Sequence, residues 1–296
     1  MTATEQSSWA PVIWRLSSLV KIEHTLFALP FAYVGALLVR RSAGALPSWL
    51  EMLWITLAMV SARSLAMGIN RLVDRKIDAR NPRTAGRELP SGRLSSSQVA
   101  VFCLASLALL VLAAFRLAPA VHYLWPIPVL AFVVYPYLKR ATWLCHLWLG
   151  ATIGLAPLGA WLALGGPVVA APFALWVAVA CWIAGFDLFY SFFDLEIDRA
   201  QGLHSFAVRF GVDGVFRGGR LLHLVAVTAL AFAGYAGHAG VLWGLGVAAV
   251  AALLTYEHLI VSPRDLRRLN AAFFTVNGVI AVVFLGFVLA DALLLA

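Results

Sequence analysis

Charge is scarce in this sequence. Of its 296 residues only 12% are Asp, Glu, Lys or Arg, while 62% are hydrophobic and the mean hydropathy is +0.88. Soluble domains carry roughly a quarter charged residues. A chain this poor in charge cannot clothe a water-facing surface, so an integral membrane protein is expected. Cysteine is scarcer still. Cys103, Cys145 and Cys181 each stand alone in an apolar run, which excludes a disulfide framework and a thiolate zinc site and leaves them as packing residues. The first ten residues are polar and lack a basic stretch leading into an apolar core, so no cleavable signal peptide is expected. No internal repeat is visible beyond two similar acidic stretches.

What is abundant is long apolar segments. About nine are long enough to cross or nearly cross a bilayer, at roughly 19–39, 52–72, 98–115, 120–137, 145–164, 168–193, 221–236, 240–259 and 271–290. The fold expected is therefore all-α, a polytopic membrane bundle of about nine transmembrane helices. Residues 1–18 read as an N-terminal cytoplasmic arm, amphipathic or disordered, and 19–296 as a single transmembrane bundle. The cations test the arrangement. If the loop at 73–96 is cytoplasmic, alternation puts the loops at 138–144, 194–220 and 260–270 on the same side. Together with the flanks of the first segment they hold eighteen of the 22 Lys and Arg residues. Arg40, Arg41 and Arg116 fall outside, and Arg63 lies within the second segment. That asymmetry is a positive-inside signal, and it accounts for the +8 net charge without a nucleic-acid partner. The protein is thus placed in the inner (plasma) membrane with its longer loops in the cytoplasm.

Against this background a few acids stand out. Asp74 and Asp78 close one apolar segment, and Asp194 and Asp198 close another. Spacing of i,i+4 puts each pair on one helix face. Asn70 extends the first stripe by a turn, giving N-x-x-x-D-x-x-x-D, and Asp187 extends the second by two. An ionised aspartate near hydrocarbon costs about 2.5–3.5 kcal/mol, so four of them need compensation. A helix-end acid paired with a loop arginine would be the structural reading. Two carboxylate pairs in low dielectric are better explained by a divalent cation, and Mg²⁺ arrives most often with a phosphorylated substrate. The loop Arg75–Arg93, RKIDARNPRTAGRELPSGR, adds arginines able to grip phosphate bidentately, although positive-inside enrichment alone would also place arginines there.

The run Asn70-Arg-Leu-Val-Asp74-Arg-Lys-Ile-Asp78, followed by RTAGRELPSGRLS, resembles the UbiA superfamily of intramembrane aromatic prenyltransferases. Asp187-Leu-Phe-Tyr190-Ser-Phe-Phe-Asp194-Leu-Glu-Ile-Asp198, followed by GLHSFAVRFG, looks like its second aspartate motif, and Tyr135-Pro-Tyr-Leu-Lys139 like its Y-x-x-x-K element. The resemblance covers essentially the whole chain and implies a nine-helix bundle around a central cavity. The start KIEHTLFALPFAYVGALL and the GLHS stretch look most like the branch acting on 4-hydroxybenzoate or its futalosine-pathway menaquinone counterpart. The resemblance implies a Mg²⁺-dependent transfer of a polyprenyl group from an allylic polyprenyl diphosphate to an aromatic acid, 4-hydroxybenzoate or 1,4-dihydroxy-6-naphthoate. Asn70, Asp74, Asp78, Asp194 and Asp198 would hold the metal. Arg75, Tyr135 and Lys139 would bind the diphosphate. Asp74 and Asp194 would serve ionisation of the diphosphate, and Asp187 or Asp194 would orient the phenol or take a proton.

Other readings stay open at this stage. Arg63 lies seven residues before Asn70, hence on the same helix face. It either holds the acceptor carboxylate or salt-bridges an acid, Asp187 being the expected partner in the free enzyme. Lys21 and His24 fit interface anchoring better than acceptor contact, His204 fits a loop role, and Asn270 and Asn277 fit interhelical glue. The same superfamily includes enzymes for homogentisate, porphyrin or chlorophyllide, and sugar phosphate acceptors. An ion-coupled secondary transporter would also use buried acids and Pro-interrupted helices. Clustering of the acids at one helix end, the lack of an inverted repeat and the arginine-rich loop weigh against it.

Overall fold

The computed structural model describes residues 9–20, 25–261 and 275–294, with side chains described from residues 14 and 28 onward in the first two stretches. Among the described residues the structure is helical with no strand: α1 (Trp9–Val20), α2 (Thr25–Arg41), α3 (Trp49–Asp78), α4 (Ser96–Phe115), α5 (Pro119–Leu124), α6 (Pro126–Leu138), α7 (Cys145–Ala163), α8 (Ala170–Tyr190), α9 (Leu195–Ala200), α10 (Phe206–Ala236), α11 (Val241–Ile260) and α12 (Asn277–Leu294). A 3₁₀ turn, Ser191–Asp194, joins α8 to α9. Counting α5 with α6 and α8 with α9, eight helical stretches are long and apolar enough to span a bilayer. With the shorter, 17-residue α2, they agree with about nine crossings.

Local chemistry sets several boundaries. Ser48 and Glu51 form a capping box at the start of α3, and Ser95 with Gln98 does the same for α4. These satisfy orphan amide hydrogens where a helix enters from polar surroundings. Pro126 has no amide hydrogen to give, and the expected fourth segment is broken there into α5 and α6.

α1 packs on the bundle at its C-terminal end, where Leu19 and Val20 are buried against Leu65, Leu89 and Leu94. Ser18 donates a hydrogen bond to Glu88, and Arg15 donates to the Arg93 carbonyl. The stretch 194–220 is largely helical rather than loop. α10 begins at Phe206, with Ser205 as its cap, and is interrupted only at Gly211, whose φ of 65° lies outside the helical region.

α8 is the axis of the bundle, packed between α7 and α10. α2 lies on α7 and α12, and α3 lies on α4 and α6. The main core runs through Phe31, Leu175, Trp182, Ile280 and Phe284, with the Phe31 and Trp182 ring centroids 5.0 Å apart. Asn277 does act as glue. Its amide oxygen accepts from the Trp182 indole at 2.7 Å and its nitrogen donates to Glu257 at 3.3 Å. Lys21, His24 and Asn270 lie outside the described residues.

The α7–α8 contact is closest at two glycines. A Cβ on Gly150 would sit 2.2 Å from the Ala180 carbonyl oxygen, and one on Gly154 would sit 2.7 Å from that of Trp176. Small residues four apart let two helix backbones approach in this way. That approach fixes where the polar ends of the two helices meet.

Candidate active site

Three helices end together. Asn70, Asp74 and Asp78 occupy the last turns of α3, Lys139 caps α6, and Asp194 and Asp198 follow α8. Asn70 Nδ2 donates to Asp74 Oδ2 at 3.3 Å, as the i,i+4 stripe requires. Arg140 bonds Asp74 Oδ1 at 2.9 Å and the Val73 carbonyl at 3.1 Å, while its neighbour Lys139 reaches Asp198 Oδ1 at 2.9 Å. Adjacent residues of one turn therefore hold one carboxylate of each motif. The loop after α3 closes the gap from the other side: Asn81 Nδ2 donates to Asp194 Oδ1 at 2.9 Å and Arg83 Nε to the same oxygen at 3.1 Å. The Arg83 guanidinium also lies over the Tyr190 ring, 5.5 Å from its centroid.

The acids thus meet their cost with cations from elsewhere in the chain. Burial pulls Lys139 down, but Asp198, Asp194 and Asp74 outweigh it and hold the ammonium above its ordinary value. Arg83 behaves in the same way: burial opposes its charge, and the Asp194 carboxylate wins. Both side chains stay charged through the physiological range. Asp78 is the most enclosed of the acids in its motif. Arg87 Nη1 lies 2.8 Å from each of its oxygens and Arg71 at 3.8 Å, and the Thr84 hydroxyl bonds its carbonyl. In this structure Asp78 anchors the loop, a task its place in the N-x-x-x-D-x-x-x-D stripe did not announce.

The Asn70 amide oxygen and the carboxylates of Asp74, Asp194 and Asp198 are hard oxygen donors, the set that suits Mg²⁺ or Mn²⁺ rather than a thiolate metal. The donor chemistry fits a divalent cation. Among the described residues no three acidic, histidine or cysteine side chains stand together as a ready cage. Ion pairs fill their places, so a cation bound here would have to exchange with Arg83, Lys139 or Arg140.

The remaining predicted residues divide. Tyr135 is half-buried, within electrostatic reach of Asp187 and Asp74. Arg63 is enclosed in the bundle near Tyr135, and its Nε is buried without a hydrogen-bond partner. Arg75 lies apart: it is exposed and donates to the Ser96 hydroxyl at 2.7 Å. Asp187 does not lean on Arg63, as expected from sequence. Its Oδ2 is 2.6 Å from His146 Nδ1. His204 is a loop residue, its amide bonded to the Lys139 carbonyl at 2.8 Å.

Sequence reasoning missed Asn81, Arg83, Arg140 and His146. The first two sit inside the recognised arginine-rich loop, and Arg140 directly follows a named residue. His146 carried one signal: His146, Gly150 and Gly154 recur every four residues, so the histidine shares the face that α7 presses on α8.

The UbiA prenyltransferase family matches residues 28–288. The 4-hydroxybenzoate octaprenyltransferase of Saccharophagus degradans is 32% identical over 255 residues, 86% of this chain and 84% of its own length. That of Tolumonas auensis is 32% identical over 295 residues, 98% of this chain and all of its own. Among solved structures, the apo form of a UbiA homolog from Aeropyrum pernix superposes with a TM-score of 0.81 at 29% identity, covering 91% of this chain and 98% of that one. A UbiA homolog from Archaeoglobus fulgidus, bound to GPP and Mg²⁺, shares the fold with a TM-score of 0.72 at 19% identity, over 94% of this chain and 99% of that one. The chain that places two aspartate motifs around the end of α6 is thus an integral membrane enzyme, a member of the UbiA prenyltransferase family.

Proposed function

We propose that this chain transfers a polyprenyl group from an allylic polyprenyl diphosphate to an aromatic acid in quinone biosynthesis, with Mg²⁺, at the cytoplasmic face of the inner (plasma) membrane. The acceptor is 4-hydroxybenzoate or 1,4-dihydroxy-6-naphthoate. The observation that carries this reading is the meeting of both aspartate motifs with Arg83, Lys139 and Arg140, with Arg63 two turns deeper on the Asn70 face. The names of the relatives at 32% identity favour a hydroxylated benzoate.

Asn70, Asp74, Asp194 and Asp198 would hold magnesium, which when bound neutralises charge developing on the departing diphosphate. Arg83, Lys139 and Arg140 bind diphosphate oxygens, exchanging their present carboxylates for phosphates; Arg83 and Arg140 take the place that sequence gave to Arg75. Tyr135 donates its hydroxyl hydrogen towards the same group. Arg63 holds the acceptor carboxylate, because its Nε is buried without a partner and a cation inside the bundle is costly until an anion arrives. Asp187 receives the acceptor's phenolic hydrogen. Helix packing around Trp182 and Phe186 keeps water from the allylic cation.

Membranes containing the protein, supplied with Mg²⁺ and one polyprenyl diphosphate, test the reading. Pyrophosphate and a prenylated product are expected with one of the two acids. Product with homogentisate or a tetrapyrrole, and with neither acid, would overturn the acceptor assignment.

A further inference from the structure

His146, near the start of α7, meets Asp187, near the end of α8. Its Nδ1 is 2.6 Å from Asp187 Oδ2. The residue is only 8% exposed, and its Nε2 is buried without a hydrogen-bond partner. Asp187 is the more open of the two, with a side chain 16% exposed against 11% for the histidine. The pair is held by packing as well as by its hydrogen bond. His146 stands one turn before Gly150, whose missing Cβ brings α7 onto Ala180 and Ala184 of α8. Asp187 follows Ala184 by three residues on that helix. A polar pair placed at so close a backbone approach has little freedom to re-orient.

A carboxylate that must receive a phenolic hydrogen needs one oxygen fixed and the other free. With one oxygen tied to His146, the second is left for the acceptor. The donor role follows from the pair itself: a carboxylate only accepts, so the short contact requires a hydrogen on Nδ1. Of the pair, Asp187 is therefore the member with a free acceptor oxygen to offer the substrate, and His146 supports it through Nδ1.

We infer that His146 is a positioning residue of the transfer step, orienting Asp187 through its Nδ1–H so that the carboxylate takes the acceptor's phenolic proton. The inference rests on the aromatic-acid reading given above. As the allylic C–O bond breaks, the diphosphate leaves with the electron pair. A new bond joins the allylic carbon to the ring carbon beside the hydroxyl, and the O–H proton passes to Asp187. The dienone so formed loses its ring hydrogen to the departed diphosphate and regains a proton on oxygen from Asp187. Asp187 is again a carboxylate, and the net proton leaves with pyrophosphate.

Purified full-length protein with Mg²⁺, a polyprenyl diphosphate and its aromatic acid provides the test. Loss of a proton-handling group typically slows turnover by about 10²–10⁴-fold. His146→Leu is expected to lower kcat by about a hundredfold, the low end of that range, with the KM for the prenyl diphosphate unchanged. His146→Asn, which keeps an N–H near the Nδ1 position, should recover most of the loss. A ring-fluorinated acceptor whose phenol is already ionised at assay pH should erase most of the His146→Leu deficit, which a merely structural histidine would not allow. If His146→Leu does not accumulate, His146→Gln, which has no donor at that position, replaces it with the same expectations. Unchanged kcat, no rescue by asparagine, or a deficit that persists with the ionised acceptor would overturn the inference. A wild-type protein that prenylates no aromatic acid would overturn the reading beneath it, a result distinguishable from active wild type with indifferent variants.

Discussion

Asp78 and Arg63 show how differently two charges within the bundle can be settled. Asp78 is enclosed by Arg87 and Arg71, and removing one member of such a group leaves the others charged and unpaired. Breaking a buried pair typically costs about 3–5 kcal/mol. Asp78→Ala should therefore lower the melting temperature in detergent; a melting curve matching wild type would show that the loop 79–95 does not depend on this anchor. Arg63 is the reverse case, a guanidinium with a buried, unpartnered Nε for which we propose the acceptor carboxylate as partner. Arg63→Gln should raise the acceptor's KM at least tenfold, about 1.4 kcal/mol, and leave the KM for the prenyl diphosphate nearly unchanged. An acceptor analogue without its carboxylate should lose its disadvantage in that variant. Equal KM values for the acid in both proteins would remove Arg63 from the acceptor site. The acids themselves were legible in sequence, because charge is rare enough here for each to stand out. Their partners were not. Asn81 and Arg83 reach Asp194 across more than a hundred residues, and local spacing carries no record of such a pairing. Arg75 follows Asp74 by one residue and so is turned by about 100° around the helix, where it bonds Ser96.

At the scale of elements, the contact of α7 with α8 connects packing to chemistry. A methyl at Gly150 meets a backbone oxygen, which cannot move aside as a side-chain tip can. Overpacking of this kind typically costs about 1–3 kcal/mol. Gly150→Ala should destabilise the bundle by that order and, by separating His146 from Asp187, reduce turnover further than the loss of folded protein explains. Measuring kcat per folded molecule checks this, and a full specific activity would mean that the dyad tolerates the displacement. Helix existence was legible from apolar length, but boundaries were less so. Alternation and charge make 194–220 a cytoplasmic loop, a stretch that contains Gly211, Gly214, Gly218 and Gly219. The structure instead runs α10 through most of them, using Gly219 to seat Phe189 closely. Pro126 divides a segment that hydropathy joins, since hydropathy does not register a missing amide hydrogen.

For the whole molecule, the decisive property is that α3, α6 and α8 deliver their C-terminal ends to one place. Two acidic motifs more than a hundred residues apart become one site because Lys139 and Arg140 stand between them. The proposed reaction depends above all on this site ionising an allylic diphosphate through the aspartates of both motifs. The measurement that tests it most directly is Mg²⁺-dependent pyrophosphate release from a polyprenyl diphosphate in the presence of the aromatic acid, comparing wild type with Asp74→Ala and Asp194→Ala at equal amounts of folded protein. Removing one preorganised charge-stabilising group commonly costs about 10²–10³ in rate. Each variant should lose at least a hundredfold, about 2.7 kcal/mol, while keeping the wild-type melting temperature within a few degrees. Activity within tenfold of wild type in either folded variant would contradict that dependence.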